Sequence, residues 1–157
     1  MPIAKYEKTL QVPQQYIWSW LSDFAALEKL HPPGNLTEFS CEGSFVGARR
    51  YARFNPALGI SEKIIERLDV VCKPHVLAYS LVETNPLPMS DYVAVVNLKK
   101  ISDNSTTVVW EGHYTLGAAP VEEMNDALCQ FYSLFLDGIN QAYQSELLPG
   151  ESPYQIK

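Results

Sequence analysis

The chain has 157 residues, of which 46% are hydrophobic and 11% aromatic, and this length and composition predict one folded domain, residues 1–157. Its formal net charge of -6 at pH 7 disfavours binding to nucleic acid or to an anionic membrane, because both attract basic proteins. Cys41, Cys72 and Cys129 are odd in number and widely spaced, which favours reduced thiols and a cytoplasmic location over disulfides or a metal site.

The N-terminal segment predicts a strand followed by two helices. Residues 2–11 alternate between polar and apolar side chains, with Tyr6 and Leu10 expected to point inward, and they lack the apolar run of a signal peptide. Pro13 suits the first turn of a helix because its missing N–H costs nothing there. Residues 25–30 predict a second short helix that ends at the sequence HPPG. The first helix is expected to bury one face, formed by Ile17, Trp20, Leu21 and Phe24.

Between residues 35 and 116 the pattern changes to the two-residue period of β-strands. Three pairs of alternating segments are each joined by a short connection, which predicts six strands in an antiparallel meander. No stretch is apolar for long enough to predict a membrane span. The paired segments are LTEFSCEG with VGARRYARF, ISEKIIERLDV with HVLAYSLVE, and DYVAVVNLKKI with TTVVWEGHYTL.

A long helix is expected to begin at Pro120, with Glu122 and Glu123 complementing the positive end of its dipole. Together these elements predict an α+β fold in which a seven-stranded antiparallel sheet curls around the C-terminal helix and leaves a cavity between them. The helix presents one apolar stripe to the sheet, formed by Val121, Met124, Leu128, Phe131, Phe135, Ile139 and Ala142.

The segment at residues 60–70 raises a specific question, because its more apolar face also carries Glu62 and Glu66. A carboxylate that points into an apolar cavity needs a cation, hydrogen-bond donors or a raised pKa. Arg50 shares a strand face with two apolar residues and could supply the cation. Glu66 is therefore a candidate general acid or base. The alternatives are a buried ion pair that anchors two strands and a pair that opens to water at the mouth of the cavity.

Several other side chains are expected to face the cavity. Tyr92 alternates with apolar residues, so it could donate a hydrogen bond to a ligand oxygen or simply be a core tyrosine. The three histidines, His31, His75 and His113, are expected on the surface, and none lies beside a nucleophile that would indicate triad chemistry. The remaining candidate ligand contacts are Glu62, Ile64, Tyr79, Trp110, Tyr114, Leu128, Phe131 and Phe135.

In their order and spacing these segments resemble the START/polyketide-cyclase superfamily (SRPBCC), the helix-grip proteins that include the birch-pollen-allergen group. The resemblance covers nearly the whole chain and rests on YIWSWLSDFAALEKLHP, GARRYARF, EKIIERLD, LAYSLVE, LPMSDYVAVVNL and TTVVWEGHY. The chain is most similar to the polyketide cyclase/dehydrase-like group, and more distantly it resembles plant lachrymatory factor synthase. In that enzyme an arginine, a glutamate and a tyrosine in the cavity transfer a proton without a cofactor, and the matching positions here are Arg50, Glu66 and Tyr92. The resemblance implies a similar polar cluster but not the same substrate.

The sequence therefore predicts a protein that binds a small hydrophobic or aromatic molecule in an internal cavity. It leaves open whether the protein is a cofactor-free cyclase, dehydratase or isomerase, a non-catalytic carrier, or a module that binds a protein partner. Val93 and Val95 are expected on the outer face of their strand and could form a contact with a partner or with a second copy in a homodimer.

Overall fold

The computed structural model describes residues 1–83 and 86–155. A strand and two helices come first, six strands follow, and a long helix comes last, which is the predicted order. The strands are β1 Ile3–Leu10, β2 Leu36–Cys41, β3 Arg49–Phe54, β4 Ile64–Cys72, β5 Val76–Leu81, β6 Met89–Ser102 and β7 Ser105–Leu116. The helices are α1 Gln14–Ser22, α2 Leu27–Leu30 and α3 Val121–Gln144, with single 3-10 turns at Pro56–Leu58 and Pro153–Gln155.

All seven strands form one antiparallel sheet in the order β1-β7-β6-β5-β4-β3-β2. The six strands of the meander pair with their neighbours in sequence, and β1 adds to the edge at β7. Helix α3 packs against β1 and β7, while α1 and α2 also contact it. This arrangement confirms the predicted helix-grip α+β fold.

Helix α3 buries a wider arc than one apolar stripe. Five residues of the predicted stripe are buried, but Val121 is 39% exposed at the first turn and Phe131 is only half-buried. Tyr132 and Leu136, outside the predicted stripe, are almost completely buried. A helix held in a curved sheet has neighbours on more than one side, so more of its circumference is covered. In the described part of the chain, α3 included, no helix has the length and apolarity that a membrane crossing needs.

Strand β4 departs from the prediction at its beginning and again within its second half. It begins at Ile64, so Glu62 lies in a bend before the strand and is exposed rather than inward. The pairing with β5 shifts register between Leu68 and Val70, and this bulge turns Val70 outward, where it is 44% exposed. Ile64 and Leu68 are buried as predicted, but Ile65 on the opposite face is buried as well. Glu66, which lines the cavity, is the inward carboxylate.

Candidate functional site

A cavity lies between the sheet and α3, with α2 and the loop after it forming part of the wall. About 90 Å³ of it is open to the centres of water-sized molecules, several times the ~10–15 Å³ that one water requires. Among the described residues most of the wall is apolar, and six polar side chains interrupt it. These are His31, Arg50, Glu66, Tyr79, Tyr92 and Tyr132.

The three residues predicted to act in chemistry, Arg50, Glu66 and Tyr92, all line this cavity. Five of the predicted ligand contacts do so as well, namely Ile64, Tyr79, Leu128, Phe131 and Phe135. The described part of the chain contributes further lining residues that the sequence pattern did not indicate. These are Leu27, His31, Phe39, Ala52, Phe54, Ile60, Leu81, Leu87, Met89 and Tyr132.

Three predicted contacts lie outside the cavity. Glu62 is exposed because the strand begins after it. Trp110 is buried, but its ring stacks on Tyr132, with centroids 4.9 Å apart and planes 11° apart, so that Tyr132 and not Trp110 faces the cavity. The Tyr114 hydroxyl lies 2.7 Å from Oδ1 of Asn125 on α3, to which it donates a hydrogen bond. Trp110 and Tyr114 therefore belong to the packed core.

Arg50, which is buried, and Glu66, which is partly buried, form an ion pair across two strands. They are direct register partners on β3 and β4, and Nε of Arg50 lies 2.5 Å from Oε2 of Glu66. The Arg50 guanidinium carbon lies 3.8 Å from the ring centroid of Phe24 and 4.9 Å from that of Tyr79. Nη1 of Arg50 also donates a 3.3 Å hydrogen bond to the Phe24 carbonyl oxygen. The cation is thus held from several sides, and it fixes the carboxylate at the cavity wall.

A second polar pair joins the sheet to the helix. The hydroxyl oxygens of Tyr92 on β6 and Tyr132 on α3 are 2.5 Å apart and share a hydrogen bond. Burial is the main cause that raises the pKa of both phenols, and the negative charge of Glu66 adds to it. Burial likewise raises the pKa of Tyr79. These tyrosines are therefore neutral hydrogen-bonding groups throughout the physiological range of pH.

His31 corrects a sequence expectation, because it is only 9% exposed and lines the cavity. Its ring lies edge-on to Phe54 and Phe135, at centroid distances of 5.5 and 5.1 Å. Burial and then the charge of Arg50 lower the pKa of His31 to about 4, so the imidazole is neutral at pH 7. Its Nδ1 atom is buried without a hydrogen-bond partner among the described residues. His75 is exposed, as expected from the sequence.

The family model described as polyketide cyclase/dehydrase and lipid transport matches residues 1–143. This confirms the superfamily predicted from the sequence. A comparison with curated protein sequences gives no match.

Several solved structures share the fold. Protein XoxI from Bacillus cereus matches with a TM-score of 0.75 and 21% identity, over 93% of this chain and 98% of that one. An uncharacterised protein from Bacillus thuringiensis matches with a TM-score of 0.72 and 22% identity, over 90% and 98%. Norcoclaurine synthase from Thalictrum flavum, in complex with dopamine and hydroxybenzaldehyde, matches with a TM-score of 0.75 and 16% identity, over 91% and 86%. At these identities the likeness is one of fold.

Proposed function

The chain belongs to the polyketide cyclase/dehydrase and lipid transport family, and from this premise we propose that it binds a small, mainly apolar or aromatic carbonyl compound and transfers a proton on it without a cofactor. The observation that carries the proposal is the position of Glu66. Its carboxylate forms part of the wall of an apolar cavity and is held there by a buried arginine.

The wall of the cavity supports an apolar ligand. Aromatic and aliphatic side chains from the sheet and from α3 make up most of the lining, including Phe39, Phe54 and Phe131. Burying apolar surface against such a wall contributes about 25 cal/mol per Å². A few polar groups in a mainly apolar pocket are the arrangement that orients a small molecule. The aromatic compounds held by norcoclaurine synthase agree with this ligand class.

The polar side chains support proton transfer. Glu66 would accept a proton from a carbon next to the carbonyl group, so that the C–H bond breaks, an O–H bond forms on the carboxyl and the electron pair moves to the carbonyl oxygen. Arg50 fixes the carboxylate, and Tyr92 donates a hydrogen bond to the substrate oxygen. Return of the proton to a different atom completes an isomerisation, whereas protonation and loss of a hydroxyl group as water completes a dehydration.

A carrier that binds without turnover is the second candidate. Arg50 is bonded to the Phe24 carbonyl and stacked on the Phe24 ring as well as paired with Glu66. These contacts tie β3 and β4 to the segment between α1 and α2, which gives the ion pair a purely structural use.

The two candidates differ in the exchange of protons on a bound carbonyl compound. Phenylacetone is a suitable probe, because exchange of its benzylic protons in D₂O is followed by ¹H NMR. We expect the wild type to accelerate this exchange and Glu66→Gln to slow it by about 100-fold or more. Glu62→Gln is the matched control, since this exposed carboxylate lies just before the same strand, and its rate should equal that of the wild type.

Thermal shift with phenylacetone provides the binding measurement for the same three proteins. Binding by all of them with no exchange above the buffer rate would reject catalysis in favour of the carrier. An equal loss of exchange in Glu62→Gln and Glu66→Gln would also contradict the assignment of Glu66.

A further inference from the structure

The side chains of Tyr92 and Tyr132 both line the cavity, and their hydroxyl groups meet beside Gly112 on β7, whereas the sequence pattern indicated only Tyr92. We propose that this pair is an oxyanion-binding site, and that the ligand is therefore a phenol or an enolisable carbonyl compound whose oxygen accepts a hydrogen bond from it. This inference rests on the proposed function, because it assigns the substrate class and adds to the same cavity a second hydroxyl that is hydrogen-bonded to Tyr92.

The number of protons on the two hydroxyl groups leaves one proton for a further hydrogen-bond acceptor. Two neutral hydroxyl groups carry two protons, and their mutual bond of 2.5 Å uses one of them. The hydroxyl that accepts this bond keeps its own proton for another acceptor. Being an acceptor also makes it a better donor, because linked hydrogen bonds polarise one another in a low-dielectric site. Tyr79 lies beside Tyr92 and interacts with its hydroxyl, and because all three side chains line the cavity, a ligand oxygen there can accept the remaining proton.

The surrounding elements are shaped to hold the two phenols together. Gly112 on β7 faces the pair, and a Cβ atom at this position would overlap the Tyr132 hydroxyl and lie 2.9 Å from Cε2 of Tyr92. Any residue other than glycine would therefore displace one of the rings. Trp110, also on β7, stacks on Tyr132 from the core. Donors that are fixed before the ligand arrives stabilise developing charge without the cost of reorganisation.

The charges in the cavity agree with this assignment. When Glu66 accepts a proton from the substrate carbon, the carboxylate loses its negative charge and the substrate oxygen gains it. The total charge of the cavity is unchanged, and Arg50 remains the nearby cation. The tyrosines stay protonated throughout, because their pKa values are raised by burial, and they can keep donating to the new oxyanion.

4-Nitrophenol tests the site directly, because its ionised form absorbs in the visible and its oxygen is the group that the pair would bind. Absorbance titrations give the affinity of the phenolate, and nitrobenzene, followed by quenching of tryptophan fluorescence, serves as the probe without the oxygen. We expect Tyr132→Phe to weaken phenolate binding by at least tenfold, as loss of a hydrogen bond to a charged group does, and to leave nitrobenzene binding within twofold. Gly112→Ala should have the same selective effect by displacing the pair.

Tyr16→Phe is the matched control, since the Tyr16 hydroxyl donates to the Leu147 carbonyl oxygen and does not line the cavity. Its phenolate affinity should equal that of the wild type. Absence of phenolate binding to the wild type, or equal weakening of both probes in a folded Tyr132→Phe protein, would overturn the proposal.

If the proposed catalysis is wrong but the oxyanion site is right, the two measurements give different results: phenolate binds, but no proton exchange is seen. Glu66→Gln removes a negative charge and should retain or strengthen phenolate binding, whatever its effect on proton exchange. Tyr132-dependent phenolate binding without any exchange would keep the oxyanion site and reject only the turnover.

Discussion

At the scale of single residues, the buried imidazole of His31 makes the stability of the protein depend on pH. In the folded protein its pKa is lowered from 6.5 to about 4, so between these values the unfolded chain binds a proton that the folded protein does not. Stability rises with pH wherever the unfolded state binds more protons. The contribution of the neutral His31 imidazole to stability is therefore fully present above about pH 6.5 and is lost as the pH falls towards 4.

Replacing His31 tests this dependence. We expect the free energy of unfolding of the wild type to fall by about 3 kcal/mol more than that of His31→Gln between pH 7 and pH 4. Carboxylates titrate in both proteins, so the difference between the two curves isolates the imidazole. Urea unfolding at a series of pH values measures it, with exposed His75→Gln as the control that should follow the wild type. Parallel curves for wild type and His31→Gln would show that the imidazole titrates normally.

His31 and Tyr132 line the cavity although the sequence pattern did not indicate either of them. His31 follows α2 in a loop, and loops have no period that tells a buried position from an exposed one. The inward position of Tyr132 could have been predicted from helical spacing, because this residue lies four positions after Leu128 on the same face of α3. The predicted stripe contains Phe131 and not Tyr132, although Tyr132 is the more deeply buried of the two.

At the scale of elements, hydrophobic periodicity predicted the type and order of every strand and long helix, because each element buries one regular face. The first residue of β4 and the bulge within this strand were not predicted. The alternation of residues 60–70 continues beyond the strand on the N-terminal side, and the chain turns before it with Gly59 at a φ of 79°. The bulge after Leu68 depends on pairing with β5, which local sequence does not encode.

Two of the ion pairs made by β3 give a prediction at this scale. Arg50 pairs with Glu66 on β4 inside the protein, whereas Arg53 pairs with Glu38 on β2 at the surface, with 41% and 62% of the two side chains exposed. We expect Arg50→Met to lower the free energy of unfolding by about 3 kcal/mol, because it leaves Glu66 without its cation. Arg53→Met should cost about 0–1 kcal/mol, since water solvates both groups.

Urea unfolding at pH 7 measures both losses, provided that the denaturant dependence is the same in each protein. A double replacement, Arg50→Met with Glu66→Leu, should recover most of the loss, because no charge is then left buried. Equal losses in Arg50→Met and Arg53→Met would mean that the inner pair is as well solvated as the outer one.

At the scale of the whole molecule, the cavity is a feature that costs stability and is kept for binding. Protein interiors are normally close-packed, and space among apolar side chains forfeits contacts that a filled core would make. A site that binds a ligand has to leave that space open, so filling it should strengthen the fold at the expense of function.

Ala52 and Ala94 provide a matched pair for this prediction. Ala52 on β3 lines the cavity, whereas Ala94 on β6 is completely buried and does not. We expect Ala52→Leu to raise the free energy of unfolding by about 1 kcal/mol, because the added carbons enter open space. Ala94→Leu should lower it by about 1–3 kcal/mol through overpacking. Ala52→Leu should also weaken 4-nitrophenol binding by at least tenfold. If both replacements destabilise the protein equally, or if Ala52→Leu binds the probe as the wild type does, the space between sheet and helix is not a ligand site.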